Sequence, residues 1–208
     1  MIGNETLAKP SIAVVDDDPC VLRSLERLFA GHGFDVRSYT AGESLLAEIG
    51  ERSPDCVLAE LLMPGLGGLD LQRSLTDLEI TVPIVFLTAF GDVKASVSAM
   101  RGGAVDCLMK PVDHNDLFDA VERAVSRSRA VRQRTNDLAV IRRHIASLSQ
   151  REREVFELVV AGKLNKQIAA TLGIAEKTVK VHRSRVMRKM AVRSVATLAR
   201  VAERIGVS

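Results

Sequence analysis

Between residues 11 and 128 the chain alternates short apolar runs with segments whose apolar residues recur at helical spacing, five times over. That alternation constrains the fold more than any single residue does. Ser11-Ile12-Ala13-Val14-Val15 is β-rich and lacks a polar face, as a strand covered on both sides of a sheet must. Residues 19–31 carry Val21, Leu22, Leu25, Leu28 and Phe29 at helical spacing and stop at Gly31. Phe34 to Tyr39 alternates as a strand nearer an edge. A helix over 41–50, a strand from Cys56 to Ala59, a helix over 67–77 and a strand over 83–88 follow. A helix over 92–101, a strand from Val105 to Met109 and a last helix complete the series. Asp113 is read as the N-cap of that helix, which has acidic residues in its first turn. The strict alternation predicts an α/β, doubly wound, parallel five-stranded sheet with helices on both faces.

In such sheets the functional crevice lies beyond the carboxyl ends of the strands. Those ends carry Asp16 and Asp17, then Glu60, then Thr88, then Lys110. Five polar side chains from four strands are therefore expected at one edge. Carboxylates are hard oxygen ligands of the kind Mg²⁺ prefers, and Lys110 brings a fixed positive charge. Carboxylates crowded together raise one another's pKa and cost stability unless a cation is supplied. An acidic cluster at this edge thus implies a cation near it.

Val14-Val15-Asp16-Asp17-Asp18-Pro19, Glu60 with Met63-Pro64-Gly65, Leu87-Thr88-Ala89 and Met109-Lys110-Pro111 together resemble the signature positions of response-regulator receiver domains. The resemblance covers roughly residues 10–128 and implies a flavodoxin-like receiver. It also implies Mg²⁺ in the acidic pocket formed by Asp16, Asp17 and Glu60. Thr88 and Lys110 would serve an incoming phosphoryl group. Two residues depart from the family pattern. Glu60 stands where such receivers carry the phosphorylated aspartate, and its side chain is longer by one methylene, about 1.5 Å. In-line transfer tolerates little misplacement, so an acyl phosphate on Glu60 is not expected. Cys107 stands where such receivers carry an aromatic switch residue, and a small thiol cannot make the same rotation. Three states follow for the pocket: a phosphate-free domain used for docking or dimerisation, an active-like form held by a Glu60–Lys110 pair, or a site still phosphorylated, at Glu60 or on another residue. No cofactor is required, and Mg²⁺ could bind weakly in any of the three.

Residues 147–208 show no strand pattern, and four helices fit them. Ser149 reads as an N-cap with Glu152 at the third helical position, and Gly162 ends that helix after Ala161. A short helix over 165–172 closes at Gly173. A third helix runs from Glu176 to Lys189 or Met190, and a fourth spans 194–205. Two short helices joined through Gly173 have the helix-turn-helix layout. Leu148 to Val155, Gly162 to Ala169 and Thr178 to His182 strongly resemble the LuxR-type helix-turn-helix of the NarL/FixJ class of response regulators. In the helix from Glu176, residues Val179, His182, Val186 and Met190 are expected to face the core. Lys177, Lys180, Arg183, Ser184, Arg185 and Arg188 occupy the rest of its surface, as a helix entering the major groove requires. The resemblance sets Lys180, Val181 and Ser184 at base-contact positions, with Arg183 and Arg185 as further candidates. Lys166, Lys177 and Thr178 are read as phosphate contacts, which position a protein without reading sequence. His182 is read as a satisfied, partly buried helix residue, and Arg151 with Glu152 as an internal ion pair.

Residues 129–146 contain neither Gly nor Pro and are read as a linker that is at least partly helical. Val131, Leu138, Ile141 and Ile145 could form an apolar stripe there, and a flexible charged tether is the alternative. Charge divides along the same line. Residues 1–128 hold 11 Lys+Arg against 20 Asp+Glu, a net of −9, and residues 129–208 hold 18 against 6, a net of +12. The basic half suits a polyanion through counterion release, with a merely solvated basic surface as the alternative.

No stretch approaches the ~18 apolar residues of a membrane span, and Met1 to Glu5 lacks the features of a signal peptide. Cys20, Cys56 and Cys107 are widely spaced, form no CxxC pair, and are read as reduced packing residues of a cytoplasmic protein. The expected function is a non-enzymatic transcriptional regulator binding double-stranded DNA as a homodimer, with no membrane partner. A sensor histidine kinase or another regulator is a possible further partner. The alternatives are a receiver-based interaction adaptor and a phosphotransfer enzyme, which lacks a nucleophile in place.

Overall fold

The computed structural model describes residues 9–50, 52–89 and 93–206. The opening residues Met1 to Glu5 and the expected helix start at 92 lie outside the described residues. Five strands form one parallel sheet: β1 (Ser11–Val15), β2 (Asp35–Tyr39), β3 (Cys56–Glu60), β4 (Ile84–Thr88) and β5 (Asp106–Met109), in the order β2-β1-β3-β4-β5. Between them run α1 (Pro19–Gly31), α2 (Gly42–Ile49), α3 (Gly68–Asp77) and α4 (Val93–Arg101). The sheet is the predicted doubly wound one, and β2 lies at its edge as its alternation suggested.

Side-chain alternation along β1 builds two cores. Ile12 and Val14 join Leu22, Leu25 and Phe29 of α1 with Leu117 and Val121 on one face. Ala13 and Val15 join Leu45, Leu71, Leu75 and Ala99 from α2, α3 and α4 on the other. Successive strand residues point to opposite faces, so a strand buried on both sides must be apolar throughout. Phe29 meets Phe34 and Phe118 edge-on at 5.5 and 5.2 Å between ring centres. That aromatic contact ties α1 to the helix after β5.

That helix, α5 (His114–Ala146), is capped by Asp113, whose Oδ1 accepts from the amide of Asn115 at 2.8 Å. It continues unbroken through residues 129–146. The chain divides within it into two compact units, at Val131 and Arg132. No helix among the described residues is long and apolar enough to cross a membrane.

The second unit packs α6 (Gln150–Val160), α7 (Asn165–Leu172), α8 (Glu176–Lys189) and α9 (Val195–Glu203) around Val155, Phe156, Ile168, Val179, Val186 and Leu198. Ile141 of α5 is buried in the same unit, and Ile145 packs against this core. Gly173 closes α7 in the left-handed region at φ 65, where a side chain would be strained. Ser149 and Glu152 form the expected capping box.

Two expectations fail here. Arg151 does not pair with Glu152; it bonds Glu154 at 2.7 Å, while Glu152 bonds Lys189 at 2.6 Å. Adjacent helical residues point about 100° apart, whereas residues three apart share a face. The three cysteines are not all packing residues either. Cys56 is buried, Cys107 is half-buried and Cys20 is exposed in the first turn of α1.

Candidate functional site

Each parallel strand delivers its last side chain to the same edge of the sheet. Asp16 follows β1, Glu60 ends β3, Thr88 ends β4, and Lys110 follows β5. Gly68 brings the start of α3 hard against this edge. A methyl group there would lie 2.6 Å from the Glu60 carbonyl oxygen and 2.8 Å from the Phe86 ring.

Lys110 Nζ lies 2.8 Å from Asp16 Oδ2 and 2.6 Å from Glu60 Oε2. Both carboxylates are buried, and the ammonium lies between them. The remaining oxygens are also engaged. Glu60 Oε1 accepts from the backbone amides of Leu61 and Leu62 at 2.9 and 3.3 Å. Asp16 Oδ1 accepts from the amide of Asp18 at 2.9 Å. Burial works to lower the Lys110 pKa, but hydrogen bonds to Asp16 and Glu60 overcome it and leave the pKa above its ordinary value. The cluster is therefore two carboxylates and one ammonium, hydrogen-bonded throughout.

Asp17 and Thr88 do not join it. Asp17 is exposed and makes no hydrogen bond or ion pair with the cluster. Thr88 is buried, and its hydroxyl donates to the carbonyl of Ala89 at 3.3 Å. A divalent cation needs several oxygen ligands at once. Asp16 and Glu60 offer suitable oxygens, but Lys110 already holds the position between them. Among the described residues no three acidic, histidine or cysteine side chains are gathered as a metal ion requires. Of the three expected pocket residues, Asp16 and Glu60 are thus brought together on Lys110, while Asp17 stands outside that cluster. Cys107 donates its thiol to Ser96 Oγ at 3.3 Å, linking β5 to α4. Burial pushes the Cys107 thiol pKa up, against the lowering effect of that hydrogen bond.

The basic surface centres on α8. Val179, Val186 and Met190 are buried as expected. Lys177, Lys180, Val181, Ser184, Arg185 and Arg188 line one open depression along the opposite side. Their spacing of three or four residues puts them on one helix face. Lys166 is exposed on the first turn of α7, and Thr178 is exposed on the first turn of α8. Arg183 sits apart from that stripe, half-buried, and donates from Nη1 to Asn165 Oδ1 at 2.8 Å. His182 is half-buried, but its Nδ1 finds no hydrogen-bond partner among the described residues, so the expectation of a satisfied histidine is not met.

At the far end of α8, Lys189 Nζ donates to Glu152 Oε2 at 2.6 Å and to the Ser147 carbonyl at 2.8 Å. The hydrogen bond from Lys189, with a second from the amide of Ser149, brings the Glu152 pKa down to about 2. Sequence reasoning missed this clamp and the Arg183–Asn165 bond. Their partners lie 37 and 18 residues apart, and no local pattern links them.

Residues 12–122 match the model of the response regulator receiver domain, and residues 146–202 match that of the bacterial regulatory proteins of the luxR family. The chain is 41% identical to Nodulation protein W of Bradyrhizobium diazoefficiens, over 98% of this chain and 90% of that protein. It is 38% identical to the transcriptional regulatory protein FixJ of Rhizobium meliloti, over 92% of this chain and 94% of that one. Among solved structures, the response regulator StyR superposes with a TM-score of 0.84 at 39% identity, covering 95% of this chain and all of that one.

Proposed function

Since this chain belongs to the response-regulator family that joins a receiver domain to a LuxR-type helix-turn-helix, we propose that it controls transcription without an aspartyl phosphate, Glu60 holding the receiver in one state. Its coarser function follows from the family. It is a non-enzymatic, DNA-binding transcriptional regulator of the two-component type, which implies DNA and a kinase as partners.

The observation that carries the finer reading is the full engagement of the Glu60 carboxylate. One oxygen is on Lys110 at 2.6 Å and the other on two backbone amides. A nucleophile for phosphoryl transfer needs an oxygen in line with the donor. Both oxygens are already hydrogen-bonded in directions set by Lys110 and the Leu61 and Leu62 amides, which disfavours that task, and Lys110 offsets one of the pocket's two negative charges. In this reading Glu60 occupies the phospho-acceptor position and its charge does part of the work of a phosphoryl group. Cys107, bonded to Ser96, replaces an aromatic switch.

We assign residues 10–128 to the receiver, 129–146 to a helical linker and 147–208 to the DNA-binding domain of a cytoplasmic protein. Lys180, Val181 and Ser184, with Arg185, are proposed to read bases. Lys166, Lys177, Thr178 and Arg188 are proposed to hold the backbone. A homodimer on paired half-sites is supported by the small footprint of one helix-turn-helix. The exposed apolar side chains Val97 and Met100 of α4 and Met109 of β5 support it as well.

The test is duplex binding and intact mass after incubation with a small phosphodonor, for the wild type, Glu60→Asp and Glu60→Ala. We expect no adduct on the wild type and the same duplex affinity with and without donor. A phosphoryl adduct on residue 60, or donor-dependent binding by the wild type, would overturn the reading.

A further inference from the structure

Three cations of α8 are held by neighbours, and they are held differently. Lys180 faces Glu176 at 3.6 Å, and Lys189 faces Glu152 at 2.6 Å. Each of these lysines is offset by a carboxylate. Arg183 is instead held by Asn165, whose amide is neutral. The bond fixes the guanidinium and leaves its charge intact.

Position sharpens the contrast. One helical turn on either side of Arg183 stand the buried Val179 and Val186, so it flanks the packed face of α8. The opposite stripe, with Lys180, Val181 and Ser184, lines the open depression and does not include it. Arg183 reaches toward the first residue of α7, across the seam between the two helices of the motif. Lys166, the next residue of α7, is exposed beside that seam. A guanidinium has five N–H donors and stays charged at every accessible pH. One nitrogen is given to Asn165, and the other donors remain for an anion.

We propose that Arg183 is a phosphate contact of the duplex backbone and not a base reader, with Asn165 as its positioning residue. This inference rests on the DNA-binding reading of α8. A cation hydrogen-bonded to a neutral amide, with no carboxylate partner among the described residues, fixes where the motif meets a strand at the α7–α8 seam and adds one phosphate to those neutralised on binding. Each phosphate neutralised releases counterion and steepens the salt dependence of binding. Asn165 adds no charge, and acts by restricting where the guanidinium can point.

The test measures full-length protein binding by fluorescence anisotropy across a salt series. The probes are a duplex enriched from a random pool by the wild type and a random-sequence duplex. We expect Arg183→Ala to weaken both duplexes by a similar factor and to lower the magnitude of the log K against log salt slope by about 1. Arg183→Lys should restore the slope. Asn165→Asp keeps an acceptor but offsets the guanidinium, so it should reproduce the slope of Arg183→Ala in a folded protein. Asn165→Ala should weaken binding while keeping the wild-type slope.

A loss confined to the enriched duplex, with preference relaxed at one base pair, would make Arg183 a base reader and overturn the proposal. An unchanged slope in both Arg183→Ala and Asn165→Asp would reduce the contact to a structural one. Failure of the wild type to bind either duplex would remove the DNA-binding reading itself, a different result from failure of the variants alone.

Discussion

Lys110 and Glu60 meet at 2.6 Å across the carboxyl edge of the sheet, and the same ammonium holds Asp16 at 2.8 Å. One lysine thus answers two buried carboxylates. The two carboxylates and one ammonium leave a single net negative charge, and the remaining carboxylate oxygens accept hydrogen bonds from backbone amides.

Removing the ammonium should therefore be costly. Lys110→Met leaves Asp16 and Glu60 facing each other without a cation. We expect it to lower receiver stability by about 3 kcal/mol, the low end for a broken buried pair because Lys110 keeps some contact with water. The raised Lys110 pKa gives the accompanying pH dependence. A raised lysine contributes stability that is complete below its ordinary pKa of 10.5 and is lost as pH rises through the higher folded value. Urea melts of the wild type and Glu60→Gln above pH 10 would show it, as a steeper alkaline loss in the wild type. Parallel pH profiles would count against the pair.

Added Mg²⁺ should leave the receiver unmoved. A ligand stabilises a fold only by binding the native state better than the unfolded one. With Lys110 between the two carboxylates, millimolar Mg²⁺ should not shift the melting temperature, and chelator should not lower it. A rise in melting temperature with Mg²⁺ in the wild type would show that the ammonium yields to the metal.

The second ion pair has its own acid window. Glu152 is held down to about 2, against an ordinary value of 4.5. Its contribution is complete above pH 4.5 and drains away as pH falls toward 2. Glu152→Gln should cost roughly 1.5 kcal/mol in the helix-turn-helix unit at neutral pH, within the range for a hydrogen bond to a charged group. Denaturant unfolding between neutral pH and pH 2 tests this. The difference between the two proteins should shrink as the pH falls, and a constant difference would point to packing instead.

Gly68→Ala tests how tightly the site edge is packed. The new methyl would meet the Glu60 carbonyl oxygen at 2.6 Å and Phe86 at 2.8 Å. The ring can turn, but the backbone oxygen of β3 cannot. We expect a loss of about 1–3 kcal/mol, as for overpacked cores. A melt unchanged from the wild type would mean that α3 can shift away from β3.

Much of this protein was legible in its sequence, because the signals were local. The alternation of apolar runs and helical spacings reported both the sheet and its two covered faces. Ser149 and Glu152, three residues apart, announced a capping box that is present. The polar members of the α8 stripe followed from spacing, and Val181 from the family resemblance. The failures share one cause. Arg151 was paired with its neighbour Glu152, although the partner of Glu152 is Lys189, 37 residues on. Arg183 falls among the surface cations of α8 by local spacing, yet it is half-buried and bonded to Asn165, 18 residues away.

By itself the sequence determined where each polar side chain would leave its strand or helix, since strand and helix periods act over a few residues. It therefore determined the two-part architecture and the edge where Asp16, Glu60 and Lys110 emerge. Only the tertiary structure decided which charges touch. Lys110 and Asp16 lie 94 residues apart, and whether an ammonium or a metal ion sits between two carboxylates depends on distances of an ångström. Coulomb energy and hydrogen bonding change steeply over that distance, and nothing in the order of residues along the chain encodes it.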